Sequence, residues 1–365
     1  MKEKMKEKTK KIRKNLKRKT KALTLAGALT ASLLTNNSCS TFLKNTLNSF
    51  EEGRDAITFV KNIYTKNKES FTKIILPNNL DERIKEGKVK DLLLLVHGFG
   101  SSYKKFGDKD DEDSPLNIAY KIFDGNVILA DYPSNKKVSE IAYSLLSDLE
   151  KISLEYNNQL PKLHVLAHSM GGDVIRYMVR TKPEYFSVVD IVASPLSGIN
   201  FGKFNKTLLK TYPEILELER REIADNITDL FQGSEMFKEL NTKTEPLDVT
   251  YNFYVFLSKK NNPIVPGKDD NLIPIYSAYP YEEIINGNFE DVRIGNVLCF
   301  EGDVTHSSSL YNPSIFGSIL YFSKKLDKSQ NIKNNLPKLD DIPTINILKA
   351  PIKEIEYRKE NLIKL

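Results

Sequence analysis

A serine on a predicted tight turn is the residue of this 365-residue chain whose surroundings most strongly indicate chemistry. The stretch 163–180 reads LHVLAHSMGGDVIRYMVR, an apolar run, a turn of small residues and an amphipathic segment. A serine hydroxyl attacks a carbonyl only when a base removes its proton, and the first amides of a helix stabilise negative charge. Ala167, Gly171 and Gly172 leave room for a sharp corner around Ser169. The pattern predicts either a nucleophile or only a tight turn that carries a hydroxyl.

Apolar runs and amphipathic segments alternate along the chain on both sides of this turn. Continuous apolar runs are typical of strands covered on both faces, as in a parallel sheet, and their alternation with helices places helices on both faces. The sequence therefore predicts an α/β fold with a mostly parallel central sheet flanked by helices. The predicted strands are 92–96, 126–133, 163–167, 188–195, 249–258 and 293–300, and the main predicted helices are 116–123, 137–156, one from about 170, and 315–326.

The remaining stretches divide the chain into predicted regions. Residues 199–248 contain no strand pattern but have apolar residues at helical spacing, which predicts a helical insertion between two strands. Residues 40–88 read as a polar, mostly helical lead-in, and residues 327–365 as a polar C-terminal tail. The α/β domain is therefore predicted to span 89–326.

Most of the positive charge lies at the N-terminus. Residues 1–21 contain twelve Lys or Arg and two Glu, a net charge of +10, so the rest of the chain carries −4 of the total of +6. A basic segment followed by the short apolar run 22–34 is typical of an export signal, and the run is too short to span a bilayer comfortably. The charge therefore indicates export and does not indicate binding to nucleic acid.

The end of this segment resembles the signal of bacterial lipoproteins, in which a cysteine after the apolar run is acylated and becomes the first residue. The resemblance rests on TNNSCS at 35–40, makes 1–39 the signal region and implies lipid attachment at Cys39. Asn36 departs from that family, which usually has an aliphatic residue there. Ordinary signal cleavage and an uncleaved basic anchor are the alternatives. We expect an exported protein, either a membrane-anchored lipoprotein of the cell envelope or a secreted protein.

The stretch AHSMGG at 167–172, with a strand before it and a helix after it, resembles the nucleophile elbow of the α/β-hydrolase superfamily. Some small bacterial lipases of that superfamily also have alanine where the Gly-x-Ser-x-Gly pattern begins. The stretch LLLLVHGFGSS at 92–102 is similar to the strand and His-Gly loop that precede the first helix of lipases and esterases. The resemblance implies Ser169 as the nucleophile and the backbone N–H groups of Phe99 and Met170 as oxyanion donors.

The four histidines of the chain are His97, His164, His168 and His306. His97 lies in the predicted oxyanion loop, His164 lies within a strand, and the elbow should point His168 away from the serine hydroxyl. His306 lies in a loop between the last predicted strand and the last predicted helix, where the superfamily places its base. Lipases often have leucine three residues after that histidine, whereas Leu310 is four residues after it here. The resemblance implies that His306 is the base.

The superfamily has a third catalytic residue, an acid that holds the histidine, and it is expected after the next-to-last predicted strand. The stretch GKDDNLIPIYSA at 267–278 resembles the Asp-x-Leu-Val-Pro-x-x-Ser-Ala stretch of bacterial lipases and related esterases. That alignment selects Asp270, with Asp269 as the alternative and Asp303 as a weaker one. The order serine, aspartate, histidine along the chain is that of the superfamily.

The resemblance implies a serine hydrolase that cleaves carboxylic esters through an acyl-enzyme, with lipid acyl esters as the expected substrates. In lipases an insertion at the position of 199–248 forms a lid over the acyl pocket, which adds to that expectation. The implied chemistry needs neither a metal nor an organic cofactor, and the expected partners are the acyl ester and a membrane surface. The alternatives are a thioesterase, an acyl hydrolase of peptides or wax esters, and a non-catalytic surface-binding lipoprotein, since one triad serves many substrates.

Overall fold

The computed structural model describes residues 72–346, apart from several gaps. The chain divides into two compact units, Met1–Phe59 and Val60–Leu365, of which the first lies wholly outside the described residues. The predicted signal region, with Cys39, falls outside them too. The gaps are 78–79, 135, 200–228, 231, 243–244, 247, 260–267, 271, 282–283, 285–292, 307–309, 311 and 326–335.

Eight strands form one sheet in the part of the chain that the structure describes. They are β1 (Lys73–Ile75), β2 (Leu92–Val96), β3 (Val127–Asp131), β4 (Leu163–His168), β5 (Phe186–Val192), β6 (Thr250–Ser258), β7 (Arg293–Gly302) and β8 (Thr344–Asn346). Their order across the sheet is β1-β3-β2-β4-β5-β6-β7-β8. The β1–β3 pair is antiparallel and all the other pairs are parallel. The carboxyl ends of β2 to β8 therefore meet at one edge of the sheet.

Helices connect the strands. They are α1 (Leu80–Lys85), α2 (Pro115–Ile122), α3 (Val138–Glu155), α4 (Met170–Thr181), α5 (Glu235–Thr242), α6 (Ile275–Ala278) and α7 (Pro313–Lys325), with short 3-10 helices at Tyr103–Phe106 and Pro183–Tyr185. The sequence sets the start of α2, because Ser114 accepts a hydrogen bond from the N–H of Asn117 (3.0 Å) and Pro115 occupies the first turn. Among the described residues, no helix combines the length and the apolar character that crossing a membrane requires.

Hydrophobic clusters cover both faces of the sheet. Leu92, Leu94 and Val96 of β2 lie in one cluster, together with the apolar residues of α3 and α4. Leu93 and Leu95 lie in the other cluster, which α2 and α7 complete. Side chains alternate between the faces of a strand, so the continuous apolar run of β2 reflects burial on both sides. The predicted fold class, an α/β fold with a mostly parallel central sheet flanked by helices, is confirmed.

The sheet extends beyond the predicted range 89–326. Strand β1 lies in what the sequence predicted to be a helical lead-in, and β8 lies in the predicted polar tail. Strands of three residues are too short for a period-two pattern, which is why the sequence did not reveal them. The predicted insertion 199–248 lies largely outside the described residues, and α5 is a described helix within it.

Candidate active site

Ser169 occupies the turn between β4 and α4 in a strained backbone conformation. Its φ is 55° and its ψ is −132°, and torsions of this kind cost about 1–3 kcal/mol in residues other than glycine. The N–H of Ser169 donates to the carbonyl of Val192 on β5 (2.9 Å), and its carbonyl accepts from the N–H of Gly172 (2.9 Å). Hydrogen bonds to the sheet and within α4 therefore maintain the strained turn.

Close packing explains the small residues around the serine. A Cβ on Gly171 would lie 2.6 Å from a backbone oxygen of the loop after β2, and a Cβ on Gly98 would lie 2.7 Å from the Cβ of Ser169. Ala167, which stands where the usual pattern has glycine, is fully buried inside β4. The loop after β2 therefore lies directly against the turn at Ser169.

His306 links Ser169 to Asp270 by hydrogen bonds. Its Nε2 lies 2.8 Å from the Oγ of Ser169, and its Nδ1 lies 2.7 Å from Oδ2 of Asp270. Ser169 and His306 are each 8% exposed and Asp270 is 1% exposed. The three residues follow β4, β6 and β7, whose carboxyl ends lie at the same edge of the sheet. With the proton of Nδ1 directed at the carboxylate, Nε2 carries the lone pair that can accept the hydroxyl proton.

The loop of Asp270 orients its carboxylate. Oδ1 accepts hydrogen bonds from the N–H groups of Leu272 (3.0 Å) and Ile273 (2.7 Å), while Oδ2 faces His306. The N–H of His306 also donates to the carbonyl of Asp270 (2.7 Å). The two loops are therefore joined through both the side chains and the backbones of these residues.

Asp269 and Asp303, the alternative acids that the sequence offered, do not occupy the position of Asp270. Asp269 is buried in the same loop and forms an isolated β-bridge with Pro274. Asp303, three residues before His306, is exposed to solvent. The contact between Asp270 and His306 makes Asp270 the acid that the geometry favours.

The loop after β2, which carries the predicted donor Phe99, is held by side chains. The carbonyl of Gly98 lies 2.8 Å from Nδ1 of His97. A peptide group is planar, so fixing this carbonyl also fixes the direction of the Phe99 N–H in the same peptide. The N–H of Gly100 donates to the Oγ of Ser134 after β3 (2.7 Å). The loop is therefore held on both sides of Phe99.

The second predicted donor, Met170, is the first residue of α4 and is fully buried. The first N–H groups of a helix have no partner in the helix's own hydrogen-bond ladder. Its N–H follows Ser169 directly, and Phe99 lies on the loop that packs against the same serine. Both predicted donors thus lie beside Ser169.

His97 is a buried, neutral residue that braces the loop. Its ring stacks on Tyr132, with 4.0 Å between the ring centroids, and its Nε2 accepts from the N–H of Tyr132 (3.3 Å). The hydroxyl of Tyr132 donates to the carbonyl of His97. Burial lowers the pKa of His97 to about 4. At neutral pH the proton therefore lies on Nδ1, where it bonds the carbonyl of Gly98.

His168 is the residue that sequence reasoning missed. Its ring stacks on the ring of His306, with 4.9 Å between the centroids, and its Nε2 lies 3.1 Å from the carbonyl oxygen of His306. Burial and the nearby His306 lower the pKa of His168 well below its ordinary value of 6.5. The sequence shows that His168 is adjacent to Ser169, but its partner His306 lies 138 residues further along the chain.

His164 belongs to a polar network inside the sheet. Its Nε2 lies 2.7 Å from Oδ2 of Asp190 and 2.8 Å from the Oγ of Ser323. Oδ1 of Asp190 accepts from Nδ2 of Asn252 (2.7 Å). The network joins β4, β5, β6 and α7, so its geometry is that of a buried structural cluster.

Known proteins provide distant structural resemblances to this chain. The mature lipase BlEst2 of Bacillus licheniformis is 14% identical at a TM-score of 0.44, over 64% of this chain and 91% of that one. A lipase-esterase related protein of Clostridium acetobutylicum is 16% identical at a TM-score of 0.43, over 70% and 100%. The phospholipase PlaB of Legionella pneumophila is 14% identical at a TM-score of 0.47, over 69% and 61%. No family model and no curated protein sequence matches the chain.

Proposed function

We propose that this chain is a serine hydrolase that cleaves carboxylic esters. The observation that carries the proposal is the hydrogen-bonded series from Ser169 through His306 to Asp270 at the carboxyl edge of a parallel sheet. A nucleophile, a base and an orienting carboxylate in this geometry perform acyl transfer on several unrelated folds. Ser169 is assigned as the nucleophile, His306 as the base, and Asp270 as the carboxylate that holds the imidazole.

The proposed reaction has two halves. The Oγ of Ser169 attacks the ester carbonyl while Nε2 of His306 takes its proton, and the carbonyl oxygen becomes an oxyanion that faces the N–H groups of Phe99 and Met170. The tetrahedral species collapses, and the leaving alcohol departs with the proton from His306. Water then attacks the acyl-serine, gives a proton to His306, and releases the carboxylic acid as Ser169 regains its proton. Asp270 stabilises the imidazolium in both halves.

We propose lipid acyl esters as the substrate class. The support is sequence pattern: 199–248 has apolar residues at helical spacing, and an insertion there would cover an acyl chain. The half-buried side chain of Phe99 packs against the hydrophobic cluster beside the serine, which suits an apolar acyl group. An export signal and a lipid anchor at Cys39, proposed from the N-terminal sequence, would hold the enzyme at a membrane surface.

The test is hydrolysis of p-nitrophenyl esters of graded acyl length by the full chain and by Ser169→Ala. We expect hydrolysis by the wild type and a loss of at least ~10³-fold in kcat for the variant, since the nucleophile is removed. Equal rates for the two proteins would remove the enzyme proposal in favour of a binding lipoprotein.

The same panel tests the substrate class. We expect activity on long acyl chains and on emulsified lipid. Activity limited to short chains would restrict the proposal to an esterase, and a matched thioester series cleaved faster than the esters would favour the thioesterase alternative.

A further inference from the structure

The backbone of His306 is held from two sides. Its N–H donates to the carbonyl of Asp270 (2.7 Å), and its carbonyl accepts a hydrogen bond from Nε2 of His168 (3.1 Å). The first bond joins the base to the loop of the acid. The second joins the base to the residue immediately before the nucleophile.

The ring of His168 is buried and closely packed. It is 5% exposed, and its ring and that of His306 are inclined by 29° with 4.9 Å between centroids. A Cβ built on Gly98 would lie 3.2 Å from Nδ1 of His168. The residue ends β4 and pairs with Val192 of β5, so its backbone belongs to the sheet. The sheet thus presents its imidazole at a fixed place against the base.

During acyl transfer, the position of His168 favours one protonation state, the neutral ring with its proton on Nε2. Its Nε2 carries the proton donated to the His306 carbonyl, so the neutral ring has no proton on Nδ1. A second positive charge on His168 would oppose the imidazolium that forms on His306 during acyl transfer. Burial and His306 both keep the pKa of His168 low, which agrees with the neutral form.

We propose that His168 is a positioning residue that sets the distance between the base His306 and the nucleophile Ser169. Its hydrogen bond to the His306 carbonyl ties the loop after β7 to the elbow after β4, and so holds Nε2 of His306 at 2.8 Å from the hydroxyl. The inference rests on the proposed function of Ser169 and His306. In this role His168 bonds the backbone of His306 and takes no part in the proton transfer.

The test compares His168→Gln, His168→Met and His168→Asn in the full chain. The glutamine amide N–H can reach the place of Nε2 and donate to the His306 carbonyl. Methionine has a similar size but no donor. The side chain of asparagine has a donor but is one bond too short to place it where Nε2 lies. Misplacing a catalytic group by about 1 Å costs on the order of 100-fold, so we expect Met and Asn to lose ~10–100-fold in kcat with KM little changed. The kcat of His168→Gln should lie within ~3-fold of the wild-type value.

The thermal midpoint of each variant separates positioning from folding. Equal losses for Gln, Met and Asn, or no loss for any, would overturn the inference. Loss of kcat that follows the thermal midpoint, with no rescue by Gln, would overturn it too. If Met does not fold, the comparison of Gln with Asn decides between the same outcomes.

A fluorophosphonate probe distinguishes failure of the inference from failure of the proposed function. Absence of Ser169 labelling in the wild type would remove the proposed function itself. Labelling of the wild type with the same rate constant in His168→Met and His168→Asn would leave the hydrolase standing and remove the positioning role. We expect labelling to slow in both variants and to recover in His168→Gln.

Discussion

The sharp turn at Ser169 places two successive side chains, those of His168 and Ser169, against the same residue, His306. Successive residues of a strand point to opposite faces, but the turn ends β4 at His168, and φ is 55° at the next residue. Ser169 contacts the ring of His306 through its Oγ, and His168 contacts the backbone of His306 through its Nε2. The strain in the serine backbone therefore serves the placement of both residues.

The first prediction concerns the choice of acid. Replacing Asp270 with Asn removes the carboxylate that holds Nδ1 of His306, so kcat should fall by about 10³–10⁴-fold. Asp269→Asn is the matched control, because it makes the same chemical change one residue away, and it should cost less. Ester hydrolysis by the two purified variants is the measurement. A larger loss for Asp269→Asn would contradict the assignment.

Part of the site could be predicted from local sequence. Ser169, Asp270 and His306 each lie within a short stretch that resembles a known pattern, and their order along the chain restricted the choice further. His168 has no such signal, because its partner is the backbone of His306 and only the fold brings the two together. The contact of Nδ1 with Asp270 and not with Asp269 also depends on the three-dimensional course of the loop.

At the scale of elements, the end of β3 braces the loop after β2. Ser134 accepts a hydrogen bond from the N–H of Gly100 (2.7 Å), and Tyr132 contacts His97 through its ring, its N–H and its hydroxyl. The loop that carries the proposed oxyanion donor is thus held by the neighbouring strand. The order β3-β2-β4 places these contacts on one side of β2 and Ser169 on the other.

The second prediction tests this brace. Ser134→Ala should lower kcat by ~10-fold with little change in KM, because a looser oxyanion loop weakens binding of the transition state more than binding of the ester. Ser101→Ala is the matched control on the same loop, since the buried Oγ of Ser101 has no hydrogen bond to any residue that the structure describes. Steady-state kinetics of both variants provide the test. Equal effects of the two substitutions would count against a specific role for Ser134.

The third prediction is a pH dependence of stability that arises from His97. Its pKa is about 4 in the folded chain against an ordinary value of 6.5, so the unfolded state binds the additional proton between these values. The stability that neutral His97 contributes is therefore complete above pH 6.5 and is lost as the pH falls towards 4. His97→Asn does not titrate and keeps a donor near the place of Nδ1.

Denaturant unfolding at several pH values measures this contribution. The difference in unfolding free energy between wild type and His97→Asn should shrink by roughly 2–3 kcal/mol from pH 7.5 to pH 4.5. A difference that stays constant over this range would mean that His97 does not titrate as its burial indicates.

Elements differed in how well the sequence predicted them. Strands β2 and β3 are interior strands with both faces covered, so each appears as an apolar run, LLLLV and VILA. The strands β1 and β8 lie at the two ends of the sheet and have three residues each, so they show no run and no alternation. Pairing with a neighbouring strand defines them, and that information is not local.

For the molecule as a whole, charge separates the N-terminal segment from the rest. The net +10 of residues 1–21 precedes an apolar run, whereas the remaining chain is −4. This distribution supports the proposal that the basic segment directs export, and it does not indicate that the remainder binds nucleic acid. A lipid at Cys39 would place the hydrolase beside membrane esters.

The fourth prediction concerns this anchor. Cys39→Ser removes the thiol that would carry the lipid, so the full chain should move from the membrane fraction to the soluble fraction of expressing bacterial cells. Metabolic labelling with a fatty acid should mark the wild type and leave the variant unlabelled. Cys299→Ser is the matched control, because Cys299 is buried in the folded chain and should not affect either result. Unchanged fractionation and labelling of Cys39→Ser would contradict the anchor.

Detection of a covalent acyl-enzyme is the most direct test of Ser169 as the nucleophile. The full chain is mixed with a slowly deacylating p-nitrophenyl ester, quenched in acid during turnover, digested and analysed by mass spectrometry. We expect to find the acyl mass on Ser169, accumulating with the release of one equivalent of p-nitrophenol, and to find none after the same treatment of His306→Ala. Turnover without an acyl group on Ser169, or with the acyl group on another residue, would contradict this expectation.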